Sequence, residues 1–184
     1  MDIPYTLIRT DRKTVSLRIL PDGQVEVRAP RRLPKGDIDR FVSSKQDWIR
    51  KNRARVFAAA ERAGEPYTED DLKRMADDLT RLLPPLLNAY SERLRVTYGR
   101  VTVRRQRTRW GSCSSNGNLN FNCLIAEMPD AVRRYLVVHE LCHRLEMNHS
   151  GRFWRLVESV CPDYRTQEAW LKTEGRVLLA RLPR

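Results

Sequence analysis

His139-Glu140-Leu141-Cys142-His143-Arg144-Leu145-Glu146-Met147-Asn148-His149 decides how this chain is read. It has the form H-E-x-x-H-x-x-x-x-x-H and contains all 3 histidines of the 184-residue protein. On a helix, positions four apart share a face, so His139 and His143 can present imidazole nitrogens to one Zn²⁺. Glu140, next to the first ligand, then reaches a metal-activated water as general base. At about 100° per residue, His149 would sit roughly 240° round the helix from His143, on the wrong side to join them. The helix must therefore break between the two. Asn148, which tolerates left-handed backbone, suits the break, and Ser150 suits the N-cap of a following helix. Three nitrogens and a water make the open site of a catalytic zinc, one ion per chain; a structural zinc would take a fourth protein ligand.

Other readings of the same residues stay open at this level. Two histidines four apart can be plain helix surface. A structural His₃Cys site could be completed by Cys113, Cys123, Cys142 or Cys161, although Cys142 projects about 100° from the ligand face and reads better as a packed residue. A downstream carboxylate, Glu158 or Glu168, could replace His149 as third ligand.

Composition bounds the rest. The length suits one compact domain, or a small module joined to a catalytic one. The 4 cysteines form no C-x-x-C pair, the first residues carry no apolar signal segment and no apolar run could span a bilayer, so a reducing, cytoplasmic setting without membrane contact is expected. With 35 Lys and Arg against 23 Asp and Glu, the formal charge is +12. Acidic partners follow as a class, sequence-independent DNA among them. The quartet Arg104, Arg105, Arg107 and Arg109 is the candidate contact, with further clusters at Arg28 to Lys35 and Arg50 to Arg55.

Periodicity lays out the chain. Val15, Leu17 and Ile19, then Val25 and Val27, alternate with polar residues about a Pro21-Asp22-Gly23 turn, which predicts a β-meander in the first thirty residues. One helix is expected from Asp37 to about residue 62, and Gly64-Glu65-Pro66 reads as a linker. The expected division is an N-terminal β-hairpin and helix module over 1–64 and a catalytic domain over 65–184. Thr68 to Asp71 forms a capping box for a helix carrying Leu72, Met75, Leu79, Leu83 and Leu87, which Pro84-Pro85 should kink or break. Two strands are expected, one at Val101 and Val103 and one at Leu119, Phe121 and Cys123, joined by the loop 107–117. The metal-bearing helix starts at Asp130, a short helix runs from Ser150 to about Val160, and a last one follows Pro162. No internal repeat is present.

Arg109-Trp110-Gly111-Ser112-Cys113-Ser114, Gly117-Asn118-Leu119-Asn120-Phe121-Asn122, Val137-Val138-His139-Glu140-Leu141-Cys142-His143 and Asn148-His149-Ser150 before Phe153-Trp154 together resemble the YgjP-like metallopeptidases, relatives of the SprT-like and WLM-type proteases. The resemblance extends over nearly the whole chain. It implies an α+β fold with a zincin-like core, a small antiparallel sheet plus active-site helices. It also implies zinc on His139, His143 and His149 with Glu140 catalytic, acting on peptide or protein substrates; some relatives act on proteins crosslinked to DNA. Metzincins share the three-histidine spacing but place Gly where Glu146 stands and need a Met after the third histidine, which this chain lacks.

Three further roles are expected. Tyr164 is the candidate helper for the oxyanion. Asn118, Asn120 and Asn122 mark a strand at the sheet edge that could take up an extended peptide. Trp110 and Trp154 read as packing residues. Two other functional classes remain at this stage: a basic nucleic-acid-binding module with a structural zinc, and a non-peptidase metal-dependent hydrolase.

Overall fold

A computed structural model describes residues 3–183. The fold is α+β and divides between Gly64 and Glu65 into two compact units.

In the first unit, β1 (Tyr5–Thr10), β2 (Ser16–Ile19) and β3 (Val25–Pro30) form a sheet in the order β1-β3-β2. The β2–β3 hairpin is antiparallel, as the alternation predicts, and it turns at Gly23, whose φ of 80° is one that residues with a Cβ avoid. β1, however, pairs parallel to β3, Tyr5 opposite Val25, so the first thirty residues are not a meander. The expected single helix is two, α1 (Lys35–Ser44) and α2 (Gln46–Arg62), because Lys45 at φ −108° and ψ 13° leaves helical geometry. Val25, Val27, Ala29, Ile38, Val42 and Ile49 make this unit's core.

The second unit opens with α3 (Glu69–Leu94), started by the expected capping box: Thr68 Oγ1 accepts from Asp71 N–H, and Asp71 accepts from Thr68 N–H. Pro84 and Pro85 do not end this helix. Each proline removes one backbone donor, and the burial of Leu79, Leu83 and Leu87 on both sides holds the segment helical. Then follow β4 (Val101–Arg104), β5 (Gly111–Cys113), β6 (Leu119–Asn122), a 3₁₀ turn over Cys123–Glu127, α4 (Asp130–Cys142), α5 (Gly151–Val160) and α6 (Tyr164–Ala180).

The loop expected between two strands thus contains a third. β6 is central, parallel to β4 and antiparallel to β5, so the sheet is mixed where an antiparallel one was expected. Leu119 and Phe121 from β6, Leu79, Leu83 and Leu87 from α3, Val132, Leu136 and Val137 from α4, and Phe153 and Val157 from α5 share one buried cluster. No helix among the described residues is long and apolar enough to cross a membrane.

Candidate metal centre and active site

α4 is apolar on most sides; Val132, Tyr135, Leu136, Val137, Val138, Leu141 and Cys142 are all buried, which fixes its rotation in the core. That rotation sets His139 and His143 together. The helix ends at Cys142, with His143 as its C-cap still in helical backbone at φ −66° and ψ −12°. Arg144 N–H bonds to Leu141 carbonyl at 2.9 Å and Leu145 N–H to Cys142 carbonyl at 3.0 Å, tightening the last turn. The break therefore comes at His143. Asn148 is not in left-handed backbone, so it does not supply the break in the way expected of it. Ser150 does cap α5, its side chain accepting from Phe153 N–H.

The chain returns to bring His149 beside the other two. Ligand nitrogens of His139, His143 and His149 lie within 4.8 Å of one another, and the Nε2 atoms of His139 and His149 are 3.0 Å apart. Nitrogens around one tetrahedral zinc stand roughly 3.3 Å apart for Zn–N near 2.0 Å, so the cluster has the right size. The protonation pattern also fits. His139 Nδ1 lies 3.4 Å from the Tyr135 hydroxyl, and His143 Nδ1 lies 3.1 Å from the Glu146 carbonyl, which can only accept. His143 thereby keeps Nε2 for a ligand role, and the Tyr135 contact leaves His139 Nε2 clear as well. Burial, and then the neighbouring imidazoles, lower His139 to about 3, so it is neutral near pH 7, the form in which imidazole binds a cation.

Among the described residues, no cysteine or carboxylate completes the cluster. Cys113, Cys123, Cys142, Cys161, Glu158 and Glu168 are not members.

Aromatic rings wall the site. Phe153, fully buried, has its centroid 4.9, 4.6 and 4.8 Å from those of His139, His143 and His149. Trp154 stands 5.9 Å from His139 and 5.8 Å from His149. Trp154 stacks in turn on Tyr164 at 5.2 Å, and Tyr135 on Tyr164 at 6.5 Å. Tyr164 is buried at the start of α6, and its hydroxyl accepts from Arg165 Nε at 3.3 Å. Trp110 lies, partly buried, against the core, as its packing role predicts.

Glu140 is only 4% exposed. Its Oε2 has no hydrogen-bond partner, and burial pushes its carboxyl up to about 8 against the pull of Arg109. A buried carboxyl with an unpartnered oxygen, on the helix that carries His139, is an environment that a cation would complete, since a nearby positive charge favours the ionised form.

Asn118, Asn120 and Asn122 are placed differently from expectation. Their strand is central and paired on both sides, so no peptide can add to it. The side chains act as internal ties instead. Asn118 Oδ1 accepts from Arg100 N–H at 2.9 Å, Asn120 Nδ2 lies 3.3 Å from Ser112 Oγ, and buried Asn122 donates to the carbonyls of Gln106 at 2.7 Å and Arg109 at 2.9 Å. The arginine quartet is not one free patch either. Arg105 pairs with Glu69 at 2.5 Å, Arg107 donates to the Pro183 carbonyl, Arg104 is exposed at the end of β4, and Arg109 acts on Glu140.

Periodicity alone could not reveal Phe153, Tyr135, Arg144 or Gly111. Arg144 ties the end of α4 to the Thr97 carbonyl at 2.9 Å and the Ser115 carbonyl at 3.1 Å, fixing the turn between β5 and β6.

The profile of the YgjP-like metallopeptidase domain matches residues 13–78 and 68–174. Among solved structures, the crystal structure of the metallopeptidase zymogen of Pyrococcus abyssi abylysin is similar at 24% identity and a TM-score of 0.46, over 49% of this chain and 91% of that one. No curated protein is significantly similar in sequence. The family match covers most of the chain and both histidine-bearing segments of the site, and the protein belongs to the YgjP-like metallopeptidases.

Proposed function

We propose that the protein is a zinc-dependent peptidase in which His139, His143 and His149 hold the ion and Glu140 is the general base. The observation that carries this reading is the convergence of three imidazoles at the end of the helix that also bears Glu140, whose buried Oε2 has no partner. Bound there, zinc would supply Lewis acidity, lowering the pKa of a water towards about 7 and polarising the scissile carbonyl. Glu140 takes one proton from the attacking water as its oxygen bonds to the carbonyl carbon. The same carboxyl then gives that proton to the amine nitrogen as the C–N bond breaks. The apolar wall of Phe153 and Trp154 shields His143 and partly His139 from bulk water, which strengthens these charge interactions, while His149 stays exposed. Tyr164 remains the candidate for the developing oxyanion: its hydroxyl accepts from Arg165 Nε and keeps its own proton to donate.

The substrate edge is reassigned to β5, the one of the two outer strands that lies against Glu140. Asn122 N–H bonds to Trp110 carbonyl and Ser114 N–H to Asn118 carbonyl. In an antiparallel ladder the intervening alternate residues, Gly111 and Cys113, then direct N–H and C=O away from β6. An extended peptide pairing with these groups would run beside Glu140, which packs against Gly111.

Metal analysis with Glu140→Gln tests the reading. The wild type is expected to hold about one zinc per chain, and the variant to keep it while losing at least about two orders of magnitude in turnover. An unchanged rate would remove Glu140 from the mechanism, and loss of the metal would make it structural.

A further inference from the structure

Gly111 stands opposite the Glu140 carboxyl, and its backbone does not need glycine. Positive φ among the glycines is confined to Gly23 and Gly117. Its lack of a side chain matters for another reason. A Cβ built on Gly111 would lie 2.8 Å from both Cγ and Cδ of Glu140, and closer still to Oε1. Separations under 3.0 Å are not tolerated, so something must shift. The β5 backbone is held by its ladder to β6 and by the Asn122 bond to the Trp110 carbonyl. Asn122 also anchors the segment just before it through the carbonyls of Gln106 and Arg109. Glu140 Cα is held by a helix buried along most of its surface. What can move is the Glu140 side chain, whose Oε2 has no hydrogen bond to hold it in place.

We infer that Gly111 is a positioning residue: the absence of a side chain there is the cradle that seats the Glu140 carboxyl beside the histidine cluster. This rests on the role of Glu140 given above, but it makes a separate claim about packing. A methyl group at 111 would swing the carboxyl out of its seat without breaking a buried hydrogen bond or filling the core proper. Its cost should therefore fall on the Glu140 side chain, and through it on turnover, more than on the fold.

A double-mutant cycle on Gly111→Ala and Glu140→Ala distinguishes this from a general need for glycine in β5. In the metal-free protein, Gly111→Ala is expected to lower the thermal midpoint by several degrees while Glu140 is present. It should leave the midpoint unchanged in the Glu140→Ala background, where the space is empty. In the metal-loaded protein, Gly111→Ala is expected to lower kcat about 100-fold, a loss typical of a misplaced group, with metal content and KM retained. An equal loss of stability in both backgrounds would overturn the inference, as would a wild-type kcat. The two readings fail separately: full activity of Glu140→Gln would end the general-base assignment and leave the stability coupling standing, whereas an additive cycle would end the cradle and leave the base.

Discussion

Tyr135 is the polar neighbour of the His139 ring on the side away from His149 Nε2. Both residues lie on α4, one turn apart, with the hydroxyl 3.4 Å from Nδ1 and the rings edge to face at 5.7 Å. Partners of this kind fix the tautomer of a ligating histidine and typically change metal affinity about 10–100-fold. Tyr135→Phe keeps the ring in its buried place and removes only the oxygen, so zinc affinity, measured by competition with a chromophoric chelator, is expected to fall about 10-fold with little change in thermal midpoint. Unchanged affinity would make Tyr135 a packing residue only. At this scale the clustering of the three histidines was legible in the sequence, because ligands for one ion would need fixed spacings on a short stretch of chain, and the same motif singled out Glu140 as the proposed base. Phe153 and Gly111 were not. Their importance lies in what they face across space, and that depends on where α4 ends and on a strand too short to show a period.

Among the elements, β5 shows how far alternation can be read. Val101 to Arg104 and Leu119 to Asn122 announced themselves as strands, but three residues, Gly111-Ser112-Cys113, cannot display a period of two. Parallel pairing of β1 with β3 and of β4 with β6 is likewise invisible locally, since it is set by which chain segments meet and not by either segment alone. The consequence for the site was large: the missed strand is one of the two sheet edges, and the asparagine strand taken for an edge is the centre. Proline scanning separates the two faces of β5. Cys113→Pro removes an outward donor and is tolerated at an edge, so it is expected to raise KM at least about 10-fold while metal content stays at one per chain, with Cys113→Ala near wild type. Ser112→Pro removes a donor directed at β6 and is expected to lower stability instead. A wild-type KM for folded Cys113→Pro would rule out β5 as the docking strand.

At the scale of the whole molecule the charge of +12 governs which partners are attracted. Pairs such as Arg31 with Asp11, Lys35 with Asp39, Arg50 with Asp47 and Arg105 with Glu69 tie up some of the cations without changing that net excess, and most of the pairs are exposed and individually weak. What remains should attract polyanions without regard to sequence. Fluorescence anisotropy with duplex DNA is then expected to show binding at about 50 mM salt that fades by about 200 mM, with a log–log slope near −0.9 per phosphate contacted. The described residues also rank the arginines. Arg104 has no ion pair among the described residues, whereas Arg105 already spends its charge on Glu69. Arg104→Glu should therefore weaken binding more than Arg105→Glu, equally for all sequences and with no change in metal content. No binding at 50 mM would confine the charge to keeping the protein dispersed, and equal effects of the two variants would place the contact elsewhere on the surface.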